Sequence, residues 1–124
     1  MKQTKEEALR IAQVLDGKKA QKLMILEVSH LTSITDYFVI ASASNTQLVR
    51  AMAEEVEEKL SEEDGIVARR KEGYNESRWI VLDYSGVIVH IFHQEEREFY
   101  NIERLWMDGS NQVPFTPALP KDEQ

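Results

Sequence analysis

The chain has 124 residues, a formal net charge of −7 and no cysteine, and 42% of its residues are hydrophobic. The length suits one domain with a real core, and the composition excludes global disorder, disulfides and thiolate chemistry. The acidic charge argues against nucleic-acid binding as the main function, because counterion release needs a basic surface, and it favours a basic protein partner. With no apolar run that could span a bilayer and no signal-peptide pattern, we expect a cytoplasmic protein.

The first half of the chain predicts two helices with two strands between them. Thr4 and Glu7 have the spacing of a capping box, and Gly17 stands where the helix that they begin is expected to end. Ser44 follows an apolar run and has Gln47 three residues later, which predicts the N-cap of a second helix. The predicted elements are a helix over 4–17, strands over 21–28 and 36–43, and a helix over 44–64.

The second half predicts three strands, a final helix and a tail. The Ser85-Gly86 pair between two β-rich runs is typical of a tight hairpin turn. After the hairpin the spacing becomes helical and places four apolar residues on one side: Phe99, Ile102, Leu105 and Trp106. The predicted elements are strands over 66–70, 79–84 and 87–93, a helix over 94–106, and an extended, partly mobile C-terminal tail over 109–124.

This order of elements predicts a single α/β domain. Strands that follow one another directly suit antiparallel pairing, whereas the helix between the second and third strands suits a crossover. We therefore expect a mixed β-sheet with packed helices over residues 1–108, followed by the tail.

The predicted hairpin has two chemically different faces. Because side chains alternate along a strand and antiparallel partners share a face, a two-residue turn places Tyr84 opposite Val87 and Trp79 opposite Phe92. One face is nearly all aliphatic and suits a core: Ile80, Leu82, Tyr84, Val87, Val89 and Ile91. The other mixes aromatic residues with a carboxylate and an imidazole, which suits a contact surface: Trp79, Val81, Asp83, Ile88, His90 and Phe92.

The strand-to-helix junction over residues 41–44 raises the alternative of an enzyme. Nucleotidyltransferases of the polymerase-β type bind phosphates with the helix N-terminal amides of such a junction. They also need closely spaced carboxylates on a following strand to hold divalent metal. Asp83 stands alone here, with no Asp-x-Asp or Asp-x-Glu on a strand, so a nucleotide-dependent transferase is the disfavoured alternative.

The positions of the histidines predict neither a metal site nor a catalytic dyad. His90 and His93 are an odd number of residues apart, so in a continuous strand they lie on opposite faces and do not share a metal ion. Asp83 and His90 share a face, but a catalytic dyad needs a nucleophile or a metal besides. We expect no enzyme activity, no cofactor and no metal.

Several of these segments together resemble the Iojap family, whose bacterial members are ribosomal silencing factors. The resemblance covers residues 5–108 and includes a Trp-x-x-x-Asp strand, a Val-His strand and a Tyr-x-x-Glu-x-Leu-Trp helix. It departs from the family at Ala43, where members usually carry glycine, and at Ser85-Gly86, where Gly-Asp is common. The matching residues are 35–37, 39–42, Gly73, 79–84, 89–92, Arg97, Tyr100, Glu103, Leu105 and Trp106.

The resemblance implies a nucleotidyltransferase-like α/β fold without transferase activity, often as a homodimer. It implies binding to ribosomal protein L-fourteen on the joining face of the large ribosomal subunit, where the bound factor blocks the small subunit and represses translation. Arg69, Arg70 and Lys71 form a concentrated positive stretch, for which we expect a minor contact with ribosomal RNA.

The mixed face of the hairpin is the predicted docking surface for this partner. Trp79 is of a type that often anchors interfaces, and Asp83 offers charge-assisted acceptors to a basic protein. Arg97 and Tyr100 form a stripe with Arg104 on the last helix, for which helix packing and partner contact both stay open. The predicted partner-binding residues are Trp79, Asp83, His90, Phe92, Arg69, Arg70, Arg97 and Tyr100.

Overall fold

The computed structural model describes residues 2–116, with side chains from residue 4 onward. Its elements are α1 (Lys2–Gly17), β1 (Gln21–Glu27), β2 (Tyr37–Ala43), α2 (Thr46–Asp64), β3 (Arg70–Glu72), β4 (Trp79–Asp83), β5 (Val87–His93), α3 (Gln94–Tyr100), α4 (Ile102–Trp106) and β6 (Gln112–Val113). The strands form one sheet in the order β3-β4-β5-β2-β1-β6. None of the helices over residues 2–116 has the length and hydropathy needed to cross a membrane.

The parallel pairing of β2 with β5 gives the sheet its mixed character. The register runs from Tyr37 opposite Val87 to Ala43 opposite His93. Parallel strands need a crossover connection, and α2 together with β3 and β4 lies in the chain between these two strands. The other neighbouring strands pair antiparallel. The prediction of a mixed sheet with packed helices is therefore confirmed.

Helices α1 and α2 pack on one face of the sheet and form the main core with it. The buried residues of α2 recur at helical spacing: Val49, Met52, Ala53, Val56 and Leu60. The aliphatic face of the hairpin is buried in the same core, as predicted: Ile80, Leu82, Tyr84, Val87, Val89 and Ile91. The pairing of Trp79 with Phe92 and of Asp83 with Ile88 matches the two-residue turn.

The opposite face of the sheet is called the outer face, and on β4 and β5 it consists of Trp79, Val81, Asp83, Ile88, His90 and Phe92. It continues across β2 and β1, where Phe38, Ile40 and Leu26 are buried in a second, smaller cluster. Ile102 and Trp106 of α4 pack against this cluster. The outer face is therefore covered by short elements rather than by long helices.

Three predicted boundaries are wrong. Helix α1 begins at Lys2, so Thr4 lies inside the helix and not at its N-cap. The N-cap of α2 is Asn45 rather than Ser44, because Asn45 has extended backbone and its Oδ1 accepts from the backbone N–H of Leu48 at 2.8 Å. The third strand begins at Arg70 rather than at residue 66. The backbone N–H of Ile66 still donates to the carbonyl of Leu60, so the chain completes the end of α2 before it pairs with β4.

The predicted helix over 94–106 is also wrong, because it is two helices. Asn101 adopts the left-handed conformation, with φ 47° and ψ 51°, and separates α3 from α4. The break turns the apolar residues in different directions. Ile102 and Trp106 pack on the outer face, whereas Phe99 and Leu105 are 80% and 78% exposed.

The segment after Asp108 adds an edge strand to the sheet. β6 pairs antiparallel with β1. The side-chain amide of Asn111 donates to the carbonyl oxygens of Glu27 and Trp106, both at 2.8 Å, and Asp108 contacts His30 at 2.7 Å. Residues 117–124 lie outside the described residues, so the extended tail expected there stays a prediction.

Gly73 lies in the turn before β4, where the backbone of β4 leaves no space for a side chain. It has φ +94°, and a Cβ built there meets the backbone carbonyl of Trp79. Gly73→Ala is expected to lower the free energy of unfolding by at least about 2 kcal/mol, because backbone strain adds to a clash that only a shift of β4 relieves. Urea denaturation measures the loss.

Gly65→Ala is the matched control for this prediction. Gly65 also has positive φ, +69°, but no neighbouring atom lies within 4 Å of the built Cβ. Its replacement is expected to cost only about 1 kcal/mol, the penalty for the left-handed backbone alone. Equal losses in the two variants would contradict the proposed clash at Gly73.

Candidate partner-binding face

Backbone pairing fixes the side chains of the outer face in rows. Trp79 lies opposite Phe92, and Val81 lies opposite His90 in the antiparallel hairpin. Because such partners share a face and lie close together, their side chains contact one another. Helix α3 follows β5 directly and brings Tyr100 over the Trp79 end of the face.

An aromatic cluster surrounds Trp79. Its ring centroid lies 4.7 Å from that of Phe92, 4.9 Å from that of Tyr100 and 6.0 Å from that of His90. The indole Nε1–H donates to Nδ1 of His90 at 3.2 Å. Phe92 is completely buried, Trp79 is partly buried and Tyr100 is 48% exposed. The cluster thus has a buried base and an exposed edge, as aromatic contact residues commonly do.

The bond from Trp79 fixes the protonation of His90. An indole N–H only donates, so Nδ1 of His90 accepts and carries no proton. The neutral imidazole therefore carries its proton on Nε2. This atom is buried and has no hydrogen-bond partner among the residues that the structure describes. A buried unpaired donor costs about 1–3 kcal/mol, so it lowers the stability of the fold.

Burial lowers the pKa of His90 to about 4, because the charged imidazolium would lose its hydration. The rings that contact it belong to Trp79, Phe38 and Phe92, and none of them carries a charge. At neutral pH His90 is consequently a neutral hydrogen-bonding group.

Asp83 lies at the end of β4 and is nearly buried. Its Oδ1 accepts from the backbone N–H of Ser85 at 2.8 Å, and its Oδ2 accepts from Nε of Arg69 at 3.3 Å. Arg70 lies opposite Asp83 on β3 and is exposed. Asp83 and His90 share the outer face, as predicted, but each has a different partner. The carboxylate instead ties the hairpin turn to the segment before β3.

Phe92 and Arg97 have almost no surface to offer a partner, which corrects the prediction of direct contact for these two residues. Phe92 is 0% and Arg97 is 3% exposed. Arg97 donates to both carboxylate oxygens of Glu103, to the carbonyl of Lys22 at 2.7 Å and to the hydroxyl of Ser42 at 3.3 Å. Phe92 therefore supports Trp79 from below, and Arg97 anchors α3 on the sheet.

An apolar cleft of about 180 Å³ opens on the outer face and is called the outer cleft. Its walls are the loop between β1 and β2 on one side and α4 on the other. The lining residues are Thr32, Ile34, Thr35, Phe38, Val81, Ile88, His90 and Trp106. The ring of Phe38 meets those of His90 and Trp106 edge-on, at 4.9 and 5.0 Å between centroids, and so joins the floor to one wall.

Sequence reasoning missed both walls of the outer cleft. The loop over 32–35 belongs to a segment that is polar in composition and reads as a connection. The helical spacing predicts that Trp106 lies on the apolar side of one continuous helix. The available signal was Asn101, because asparagine tolerates the left-handed conformation that ends a helix.

Three of the described residues have ligand atoms spaced closely enough for a metal ion: His93, Glu95 and Glu96. The fold already uses all three. Nδ1 of His93 accepts from the backbone N–H of Glu95 at 3.0 Å as the N-cap of α3, and Arg78 donates to both carboxylates. The group caps a helix and ties it to β4, so its geometry does not amount to a built metal site.

Comparison with known proteins finds a family model that matches this chain and several similar proteins. A family model described as "Ribosomal silencing factor during starvation" matches residues 1–124. A ribosomal silencing factor of Halalkalibacterium halodurans is 38% identical over 105 residues, which cover 84% of this chain and 89% of that protein. A solved structure from Bacillus halodurans has a TM-score of 0.74 and 35% identity, and the match covers 89% of this chain and 99% of that one.

A more distant relative is the mouse protein named "Mitochondrial assembly of ribosomal large subunit protein 1". It is 27% identical over 100 residues. The matched part covers 77% of this chain but only 43% of the mouse protein.

Acidification is expected to destabilise the wild-type chain through His90. Its folded pKa of about 4 lies below the ordinary value of 6.5, so between these pH values the unfolded chain binds a proton that the folded chain does not. The contribution of His90 to the free energy of unfolding is therefore fully present above pH 6.5 and is lost as the pH drops toward 4. Between pH 7 and about 4.5 the wild type should lose about 2–3 kcal/mol more than His90→Phe, which lacks the titrating ring.

Urea denaturation of both proteins at the two pH values measures this difference. The subtraction removes the carboxylates that titrate in both chains. An equal loss of stability in wild type and His90→Phe would show that His90 titrates normally in the folded chain.

Proposed function

Because the chain belongs to the family of ribosomal silencing factors, we propose that it binds ribosomal protein L-fourteen on the large ribosomal subunit and blocks joining of the small subunit. The family consists of ribosome-associated regulators of translation and not of enzymes. Family membership supports action on the ribosome. The named partner, the blocked step and the resulting repression of translation are our proposal.

The observation that carries this proposal is the incomplete cover of the outer face. Trp79, Val81 and Ile88 lie on paired strands and all stay partly exposed. Tyr100 extends the apolar surface from the end of α3. Contact residues on rigid strands hold their geometry better than residues on loops, and large aromatic residues are the usual anchors of protein interfaces.

The charge distribution supports a basic protein partner with a minor contact to ribosomal RNA. The net charge of −7 attracts a basic surface and repels bare nucleic acid. Arg69 and Arg70 form an exposed basic margin at the Asp83 end of the outer face. The name of the mouse relative supports the large subunit as the target.

We infer a nucleotidyltransferase-like fold and a cytoplasmic location for this function. Helix α2 begins shortly after the parallel strand β2, as at the phosphate-binding junction of transferases. Transfer chemistry is not part of the proposal, because Asp83 has no second carboxylate on its strand and is already bonded to Ser85 and Arg69.

Sedimentation with isolated large ribosomal subunits tests the proposed function. The wild-type chain is expected to travel with the large subunits, and fewer whole ribosomes should form when small subunits are added. Trp79→Ala should weaken binding by more than about tenfold, because it removes the aromatic anchor of the outer face.

Leu82→Ala is the matched control, because Leu82 lies on the same strand and is completely buried on the core side. Both truncations lower stability, so binding is compared at a temperature at which circular dichroism shows both variants folded. Folded Leu82→Ala should bind as the wild type does. Equal binding by the two variants would reject the outer face, and failure of the wild type to sediment with large subunits would reject the proposed function.

We also propose that the free chain is a homodimer. Phe99 and Leu105 are 80% and 78% exposed on neighbouring short helices, and apolar surface of this kind is commonly covered by a partner. Light scattering is expected to give the mass of two chains at micromolar concentration, and Leu105→Glu should reduce it to one. A wild-type mass of one chain at all concentrations would contradict the dimer.

A further inference from the structure

His90 lines the outer cleft and carries a hydrogen-bond donor without a partner in the part of the chain that the structure describes. Its Nδ1 accepts from Trp79, so the proton of the neutral ring is on Nε2. Nε2–H is buried and has no acceptor among the described residues. The exposed lining of the cleft is apolar, which suits an apolar group, and Nε2–H lies beneath this lining in a residue of the cleft.

We propose that the outer cleft receives an apolar side chain of the protein partner, and that Nε2–H of His90 donates to the backbone carbonyl beside that side chain. The proposal rests on the proposed function, since it names what that partner inserts. An apolar side chain matches the lining, and a carbonyl matches the single unpaired donor. Nε2 has no exposed surface in the free chain, so binding requires a side-chain rotation of the kind that interfaces commonly show.

The acidic net charge of the chain indicates that the inserted segment is basic. Asp108 is already paired with His30 at 2.7 Å, and Arg69 and Arg70 are exposed at the Asp83 end of the same face, so the net charge rather than a local acidic patch favours a basic segment. With a net charge of −7, the protein favours a partner segment whose apolar residue is flanked by lysine or arginine. His90 itself stays neutral, so it does not repel this basic segment.

Two substitutions of His90 separate the donor from the acceptor. Glutamine places its amide nitrogen near the position of Nε2 and keeps a donor there. Asparagine is shorter, so its amide oxygen lies near the position of Nδ1 and keeps the acceptor for Trp79. The donor at Nε2 is therefore lost in His90→Asn and restored in part in His90→Gln.

Binding and stability are expected to follow opposite orders in these two variants. His90→Asn should bind isolated large subunits about tenfold more weakly than His90→Gln, because it lacks the donor. It should nevertheless unfold in urea no more readily than His90→Gln, because it keeps the bond to Trp79. A purely structural role for His90 predicts the same order in both measurements, and that outcome would overturn the proposal.

Filling the cleft tests the apolar insertion independently. Val81→Phe places a ring in the outer cleft and should weaken binding to large subunits at least about tenfold. Val67→Phe is the control, because Val67 is 73% exposed and does not line the outer cleft. Equal binding by these two variants, with the wild type bound, would reject the cleft while leaving the proposed function in place.

The nature of the occupant is settled by repeating the binding with purified ribosomal protein L-fourteen and with protein-free ribosomal RNA. The same order of variants on the purified protein supports the proposal. Binding that responds to Val81→Phe only on the RNA would overturn a protein occupant. A wild-type chain that binds no large subunits would remove the proposed function and this inference together.

Discussion

The parallel pairing of β2 with β5 is the constraint on which the rest of the structure depends. Parallel strands need a crossover, and the connection here carries α2 onto the face of the sheet that α1 also covers. On either side of this pair, β4 and β1 extend the sheet as antiparallel neighbours of β5 and β2. The same pairing sets Phe38 beside Ile88 and Ile40 beside His90, so backbone register builds the floor of the outer cleft.

The two faces of the sheet differ because their covering elements differ in length. α1 and α2 are 16 and 19 residues long and bury most of one face with their apolar sides. α3 and α4 are 7 and 5 residues long and are separated by the left-handed Asn101. Trp106 reaches Phe38, but Val81 and Ile88 are left partly exposed. A short, broken cover thus leaves an apolar surface next to a rigid aromatic cluster.

Arg97 and His90, on this side of the sheet, both have buried hydrogen-bonding atoms but differ in how these atoms are paired. Arg97 has partners on α4, β1 and β2, and its bonds hold α3 in place. His90 has one nitrogen bonded to Trp79 and the other buried without a partner among the described residues. A structural role is enough to explain the bonds of Arg97, because each bond compensates for the burial of a polar group. A structural role does not explain the unpaired Nε2–H of His90, because a buried donor without an acceptor lowers the stability of the fold unless a binding partner supplies the acceptor.

The residue pattern alone predicts the first two strands, the hairpin with its two faces, and the family, but it misplaces the third strand and does not reveal β6. The alternation of Ile80 and Leu82 with Trp79 and Val81 assigns these side chains to opposite faces of any strand, because successive side chains point to opposite faces. Three-dimensional packing, and not the residue pattern, encloses Phe92 and Arg97 and places Trp106 in a wall of the outer cleft. The enclosure of Phe92 and Arg97 depends on residues distant in the sequence, such as Trp79, Lys22 and Ser42. The position of Trp106 depends on the direction in which the chain leaves Asn101, and a single left-handed residue sets that direction without leaving a periodic pattern in the sequence.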